Sequence, residues 1–182
     1  MLGIARFAYT PMLPIMQAQA GLGISEGGWL AAINYIGYFG GAILASVVSD
    51  LFIKDRLYRA GLVIAVASTF MMGITDNFWI WSISRFIAGF SSAAGLLIGS
   101  GLIMNWLIRH EYRSELGIHF AGLGLGIAFC AILVELTITD MSWNDQWYLM
   151  TLIGVLLLIP AWFWFPKPEN ASMTTAGKFL SD

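Results

Sequence analysis

In 182 residues the chain carries 58% hydrophobic and 11% charged side chains, a net charge of −2 and a mean hydropathy of +0.76. Soluble domains run at about 45–50% apolar and about 25% charged, so this composition leaves too little polar surface for a water-soluble fold. The scattered cations form no continuous basic face for nucleic acid, and one cysteine, Cys130, excludes an internal disulfide.

Six apolar stretches approach the roughly 20 helical residues that cross a hydrocarbon core about 30 Å thick. They predict an all-α polytopic membrane bundle of six transmembrane helices over residues 1–165. The first, 2–18, has no basic region ahead of it and no small-residue cleavage site, so it reads as a membrane helix and not as a signal peptide. At about 100° per residue, Arg6, Tyr9, Thr10 and Gln17 share one of its sides. Pro11 and Pro14 interrupt it, freeing carbonyls that can line a cavity. Arg6 stands only about 6 Å into this helix at 1.5 Å per residue, with no lead-in before it. The expectation is therefore a fragment, or a chain with an upstream start.

The second stretch, 28–49, follows Ser25 as a suitable cap and carries Gly37, Gly41 and Ala45 at four-residue steps, with Asn34 and Tyr38 one turn apart. The third, 60–75, is short and the fourth, 78–107, long, so their tilts should differ. Asp76 and Asn77 precede the fourth, which contains Arg85, Ser92, Gly95 and Gly99. The fifth, 116–139, follows Ser114 and holds His119, Gly122, Gly124, Gly126, Cys130 and Glu135. Its glycine run lacks the preceding soluble strand that a dinucleotide fingerprint needs, so no cofactor is expected there. The sixth, 147–165, follows Asn144 and Asp145, and the polar segment 166–182 reads as a linker. Small residues at four-residue steps let membrane helices approach closely, which predicts a compact bundle.

The loop charges give the bundle an orientation. Lys54, Arg56 and Arg59, then Arg109 and Arg113, then Lys167 and Lys178 occupy alternate gaps, whereas the gaps between hold Glu26, Asp76, Asp140 and Asp145. Lys and Arg accumulate on the cytoplasmic side, so both termini are expected in the cytoplasm. Arg6 and Arg85 lie inside apolar stretches instead, where each costs on the order of 3 kcal/mol or more. Arginine presents a fork for carboxylate or phosphate and stays charged at any relevant pH. Arg85, about 10 Å from its helix end, is too deep to reach water easily and shares a side with Ser92. Arg6 could serve an anion- or hydroxyl-recognising face, bond to neighbouring helices, or extend to the surface. Glu135 and His119 are the candidates for proton exchange.

The segment Gly3-Ile-Ala-Arg-Phe-Ala-Tyr-Thr-Pro-Met-Leu-Pro, followed by Leu30-Ala-Ala-Ile-Asn-Tyr-Ile-Gly-Tyr, resembles the YbfB/YjiJ-like branch of the major facilitator superfamily. Arg85 with Gly89 resembles that superfamily's fourth-helix motif, and the fifth-helix glycines resemble its glycine-rich motif without the usual proline. Between the second and third helices Ser46 stands where glycine is expected, Asp50 is retained, and the basic cluster is displaced to Lys54, Arg56 and Arg59. The resemblance implies an amino-terminal six-helix half of a secondary transporter in the bacterial inner membrane, proton-coupled, for a small metabolite such as a sugar or organic anion. It implies gating roles for Asp50 and Arg59. The residues themselves make Arg6, Tyr9, Gln17, Asn34, Tyr38, Arg85, Ser92, His119 and Glu135 the candidates for substrate contact or coupling. It also implies a second six-helix half, fused or separate, or else a homodimer, with lipid around the assembly.

Two other classes are weighed against this. Gly89-Phe-Ser91-Ser92 superficially resembles the nucleophile segment of a rhomboid protease, but 147–165 holds no histidine, and His110 and His119 stand at the other side of the membrane. No HExxH follows His110-Glu111, and no metal site is expected. A six-helix scaffold without transport is the remaining alternative, and the two intramembrane arginines weigh against it.

Overall fold

The computed structural model describes residues 2–113, 115–165 and 167. The cap expected of Ser114, the cation Lys178 and all of the 166–182 linker except Lys167 lie outside the described residues. Among the described residues the secondary structure is helical, without strands. The helices are α1 (Leu2–Phe7), α2 (Tyr9–Gln19), α3 (Ile24–Val47), α4 (Leu51–Ile74), α5 (Phe78–Ala93), α6 (Gly99–Arg109), α7 (Gly117–Thr137) and α8 (Trp143–Phe163), with a π-helical segment, Ala94–Ile98, joining α5 to α6.

Five units are long and apolar enough to cross a membrane: α3, α4, the 32-residue rod Phe78–Arg109, α7 and α8. The opening stretch, expected as one helix, is instead the pair α1 and α2. Pro11 has no N–H to return to the Phe7 carbonyl, so the hydrogen-bond ladder skips a rung there. Ala8 nonetheless keeps helical dihedrals (φ −58°, ψ −27°), and its N–H bonds Ile4 O at 3.0 Å.

Capping side chains move several boundaries from where the hydropathy put them. α3 starts at Ile24, not 28, with Gly23 as its cap in place of Ser25, because the Glu26 carboxylate turns back to accept from the Gly23 N–H at 2.9 Å. α4 starts at Leu51, not 60. Asp50 Oδ1 accepts from the N–H groups of Phe52 (2.7 Å) and Ile53 (3.0 Å), which fixes the first turn. Lys54, Arg56 and Arg59 therefore stand on the opening turns of α4 and not in a loop. Asn77, and not Asp76, caps α5 through bonds from Trp79 N and Ile80 N. α8 begins at Trp143 instead of 147, and its cap is Ser142, which also bonds Asp145; Asn144 and Asp145 lie inside the helix.

The pairing of α3 with α5 is the most extensive between helices, and glycine makes it possible. A Cβ at Gly37 would strike Phe86 O, one at Gly41 would strike Phe90 O, and one at Gly89 would strike Asn34 O. Backbone lies on backbone at this crossing, which is how membrane helices gain dispersion contacts without a hydrophobic driving force. One buried cluster gathers Met12, Met16, Leu30, Met72, Trp81, Trp147 and Met150 around α2, and a second gathers Tyr58, Leu62, Ile98 and Leu102 around the π-helical segment.

The two ends of the bundle are chemically distinct. At one, Gln19, Thr75, Asp76, Trp143 and Asn144 border a common cleft of about 420 Å³. At the other, Asp55, Arg59, Trp162, Phe163 and Lys167 border one of about 370 Å³. The first end, which holds Asp76, gathers the α2–α3, α4–α5 and α7–α8 connections; the second, with Arg59 and Lys167 beside Asp55, is the basic end.

Candidate functional site

Arg85 is held where α5 crosses α1 and α3, and it is 3% exposed. Its Nη1 donates to Ala5 O at 3.3 Å and its Nη2 to Arg6 O at 3.2 Å, both at the end of α1 just ahead of the break. Its guanidinium carbon lies over the Tyr9 ring, 4.5 Å from the centroid. Tyr9 is fixed in turn by its hydroxyl, which donates to Gly27 O at 2.9 Å. Arg85 Nε is buried with no hydrogen-bond partner. Charge-assisted hydrogen bonds contribute about 1.5–3 kcal/mol each and a desolvated cation–π contact about 2 kcal/mol. Those contacts hold the side chain in place, while Nε, one of the guanidinium's donors, has no hydrogen-bond partner among the described residues.

Arg6 completes the cluster from α1. Its guanidinium lies 3.9 Å over the Tyr38 ring, with Phe7 at 5.0 Å and Tyr35 at 5.7 Å, and its Nε is also buried without a partner. Asn34 anchors the crossing by donating from Nδ2 to Arg85 O at 2.8 Å. Among the described residues the ion pairs are Arg59–Asp55 and Arg113–Glu115, so neither intramembrane arginine faces an acid. Two guanidiniums lying over tyrosine rings, each with a buried Nε that has no partner among the described residues, form a cation-rich wedge suited to accepting an oxyanion.

The structure thus joins Arg6, Tyr9, Asn34, Tyr38 and Arg85. Gln17, half-buried on α2 about two turns beyond Tyr9, lies beside Gly27 of α3. Ser92 is buried, and its hydroxyl bonds Gly89 O at 3.0 Å in its own helix. His119 and Glu135 both stand on α7: the His119 ring meets Phe120 edge-on, and Glu135 is exposed. Of the residues not singled out beforehand, Tyr35 faces Arg6; its three-residue step from Tyr38 is the signal that could have found it. Buried Gln146 had no such signal, and it donates from Nε2 to Thr137 O and Met141 O at 3.5 Å.

At the basic end Asp50 serves as the α4 cap described above. Arg59 donates to Asp55 Oδ2 at 2.9 Å and to the Trp162 carbonyl, and it lies over the Trp162 ring at 5.3 Å, tying α4 to α8. The protease-like serine has no histidine base: Ser91 donates to Ala88 O at 3.2 Å, while His110 bonds and stacks on Trp106. Among the described residues no three metal-ligating side chains come together.

Residues 1–179 match the family described as "Uncharacterised MFS-type transporter YbfB". The chain belongs to this transporter family. Among curated relatives, the "Uncharacterized MFS-type transporter YceJ" of Bacillus subtilis (strain 168) is 26% identical over 162 residues, covering 87% of this chain and 40% of that protein. The "Uncharacterized transporter mfc1" of Schizosaccharomyces pombe is 28% identical over 130 residues, 70% of this chain and 26% of that protein. The "Cis,cis-muconate transport protein" of Acinetobacter baylyi is 25% identical over 154 residues, 84% of this chain and 37% of that protein. The chain therefore spans less than half the length of these relatives. As a member of the major facilitator superfamily it is a multi-pass membrane protein of a transport family, which gives the wedge of Arg6 and Arg85 a context in which a buried charge has work to do.

Proposed function

We propose that this chain forms the amino-terminal six-helix half of a secondary active transporter. It works by alternating access, with its substrate held between two halves near the membrane midplane. The observation that carries the reading is Arg85, a cation 3% exposed on a membrane-length helix with no acidic partner among the described residues. A charge is kept at such depth at a cost, and substrate pathways are where membrane proteins keep them. The α1–α2 pair supplies the sixth span, and residues 166–182 serve as a linker to the second half. The surface of α7 supports a partner, since a Cβ at Gly122 or Gly124 would meet nothing within 4 Å, and Ile118 and Leu125 are 92% and 72% exposed. The substrate is a small metabolite such as a sugar or an organic anion; the muconate transport protein is a relative whose name gives an organic anion.

Transport is driven by protons in this reading. Proteoliposomes holding the complete transporter and a mixed pool of sugars and carboxylates are expected to move at least one metabolite when a pH gradient is imposed, read by mass spectrometry of the lumen, and to stop when a protonophore is added. Undiminished movement with the protonophore argues against proton coupling. No movement of any solute under any gradient favours a scaffold.

Both termini and the basic end face the cytoplasm of the bacterial inner membrane in this account. Single cysteines at Asp76 and Asp145, with Cys130 replaced, are expected to react with an impermeant thiol reagent applied from outside, while one at Arg56 stays unlabelled. The opposite pattern inverts the orientation.

A further inference from the structure

We infer that the wedge between α1, α3 and α5 binds the carboxylate of a small organic anion, with Arg85 as the fork that takes it and Arg6 as the second cation beside it. The inference rests on the transport reading above and narrows its substrate class. Three observations lead to it.

The first is charge. Two guanidiniums meet at this crossing, Arg85 Nη2 bonding the backbone of Arg6 itself, and no carboxylate among the described residues pairs with either. A neutral polyol would leave both charges uncompensated, and a cation would add a third. Only an anion relieves the repulsion in a medium where it is poorly screened.

The second is the ring contacts. Each guanidinium carbon lies over a tyrosine ring, Arg85 over Tyr9 at 4.5 Å and Arg6 over Tyr38 at 3.9 Å from the centroid. A ring face supplies no oxygen lone pair, so these contacts hold the cations without satisfying their N–H groups, and the guanidinium fork fits a planar carboxylate through two parallel bonds. The third is vacancy of donors. Nε of both arginines is buried and unpartnered, and the two bonds Arg85 does make, at 3.2 and 3.3 Å to backbone carbonyls, are at or beyond the long end of the normal range. Charged oxygens form shorter bonds than these, so a carboxylate can displace or share them.

The test is ligand-induced thermal stabilisation of the purified full chain in nanodiscs, with acetate, succinate, benzoate and gluconate as carboxylate probes and glucose, choline and inorganic phosphate as controls. At least one carboxylate is expected to raise the midpoint in a saturable manner, with glucose and choline inert. Its apparent affinity is expected to fall about tenfold in Arg6→Gln and about a hundredfold in Arg85→Gln. Arg6→Gln removes a half-buried side chain and keeps the α1–α5 bonds of Arg85, so it remains informative if Arg85→Gln fails to fold. Stabilisation by glucose or choline, by phosphate alone, by no probe, or by carboxylates equally in wild type and Arg6→Gln overturns the assignment. Flux by the complete transporter separates the two claims: carboxylate binding without any flux defeats the transport reading and leaves the anion site, while flux that no carboxylate inhibits defeats the anion site and leaves the transport reading.

Discussion

Arg85→Ala in the complete transporter is expected to abolish flux while the protein still inserts in the membrane. The two bonds that Arg85 is proposed to give a substrate carboxylate, at about 1.5–3 kcal/mol each, correspond to a loss of about a hundredfold or more, at tenfold per 1.4 kcal/mol. The substitution also removes the bonds from α5 to the carbonyls of Ala5 and Arg6, which frees the end of α1 that frames the wedge. Insertion is spared because the substitution deletes a charge costing on the order of 3 kcal/mol at the helix centre. Arg85→Lys is expected to rescue poorly. An ammonium lacks the planar fork with which Arg85 reaches both carbonyls while its guanidinium carbon lies over Tyr9. Initial rates of uptake or efflux, normalised to the amount in the membrane, are the measurement; near-normal flux in Arg85→Ala would reduce this residue to a structural tie.

Gly89→Val is expected to remove the folded protein altogether. A Cβ there falls on the Asn34 carbonyl, backbone that cannot turn aside as a side chain could, and separating the helices also breaks the bond from Asn34 Nδ2 to Arg85 O at 2.8 Å. Ordinary overpacking costs about 1–3 kcal/mol; a backbone clash at the most extensive helix pairing adds a lost buried hydrogen bond of about 1 kcal/mol or more. The readout is the yield of monodisperse protein by size exclusion and its helical circular dichroism. Gly122→Val is the matched control. It meets nothing within 4 Å and is expected to change stability by less than about 0.5 kcal/mol in the isolated chain.

Hydrophobic length is a strong signal in membrane chains, and each apolar stretch overlaps a described helix, though not with the bounds that hydropathy gave. What hydropathy could not carry was capping. Asp50 and Glu26 begin their helices through side-chain hydrogen bonds to backbone N–H groups, local polar chemistry that extends a helix past its apolar run. Lys54, Arg56 and Arg59 read as loop residues for that reason. The π-helical segment was likewise invisible, since its five residues, Ala94 to Ile98, are as apolar as their neighbours. In the candidate site, Arg6 and Arg85 stood out by charge alone, and Asn34 and Tyr38 by spacing. Glycine spacing was ambiguous in a different way. Gly37 and Gly41 pack backbone on backbone, whereas Gly122, which has the same four-residue step to Gly126, faces open space. Four-residue steps predict that a face can pack closely, and only the tertiary arrangement tells which partner it meets.

The central claim is that this chain is one of two halves that must act together. Its most direct test is flux through vesicles reconstituted at one purified chain per vesicle, compared with vesicles in which a matching six-helix second half has been co-expressed and co-purified. The account predicts no substrate-driven flux from the single chain and flux above background when the second half is present. Substrate-driven flux from isolated monomers would contradict it.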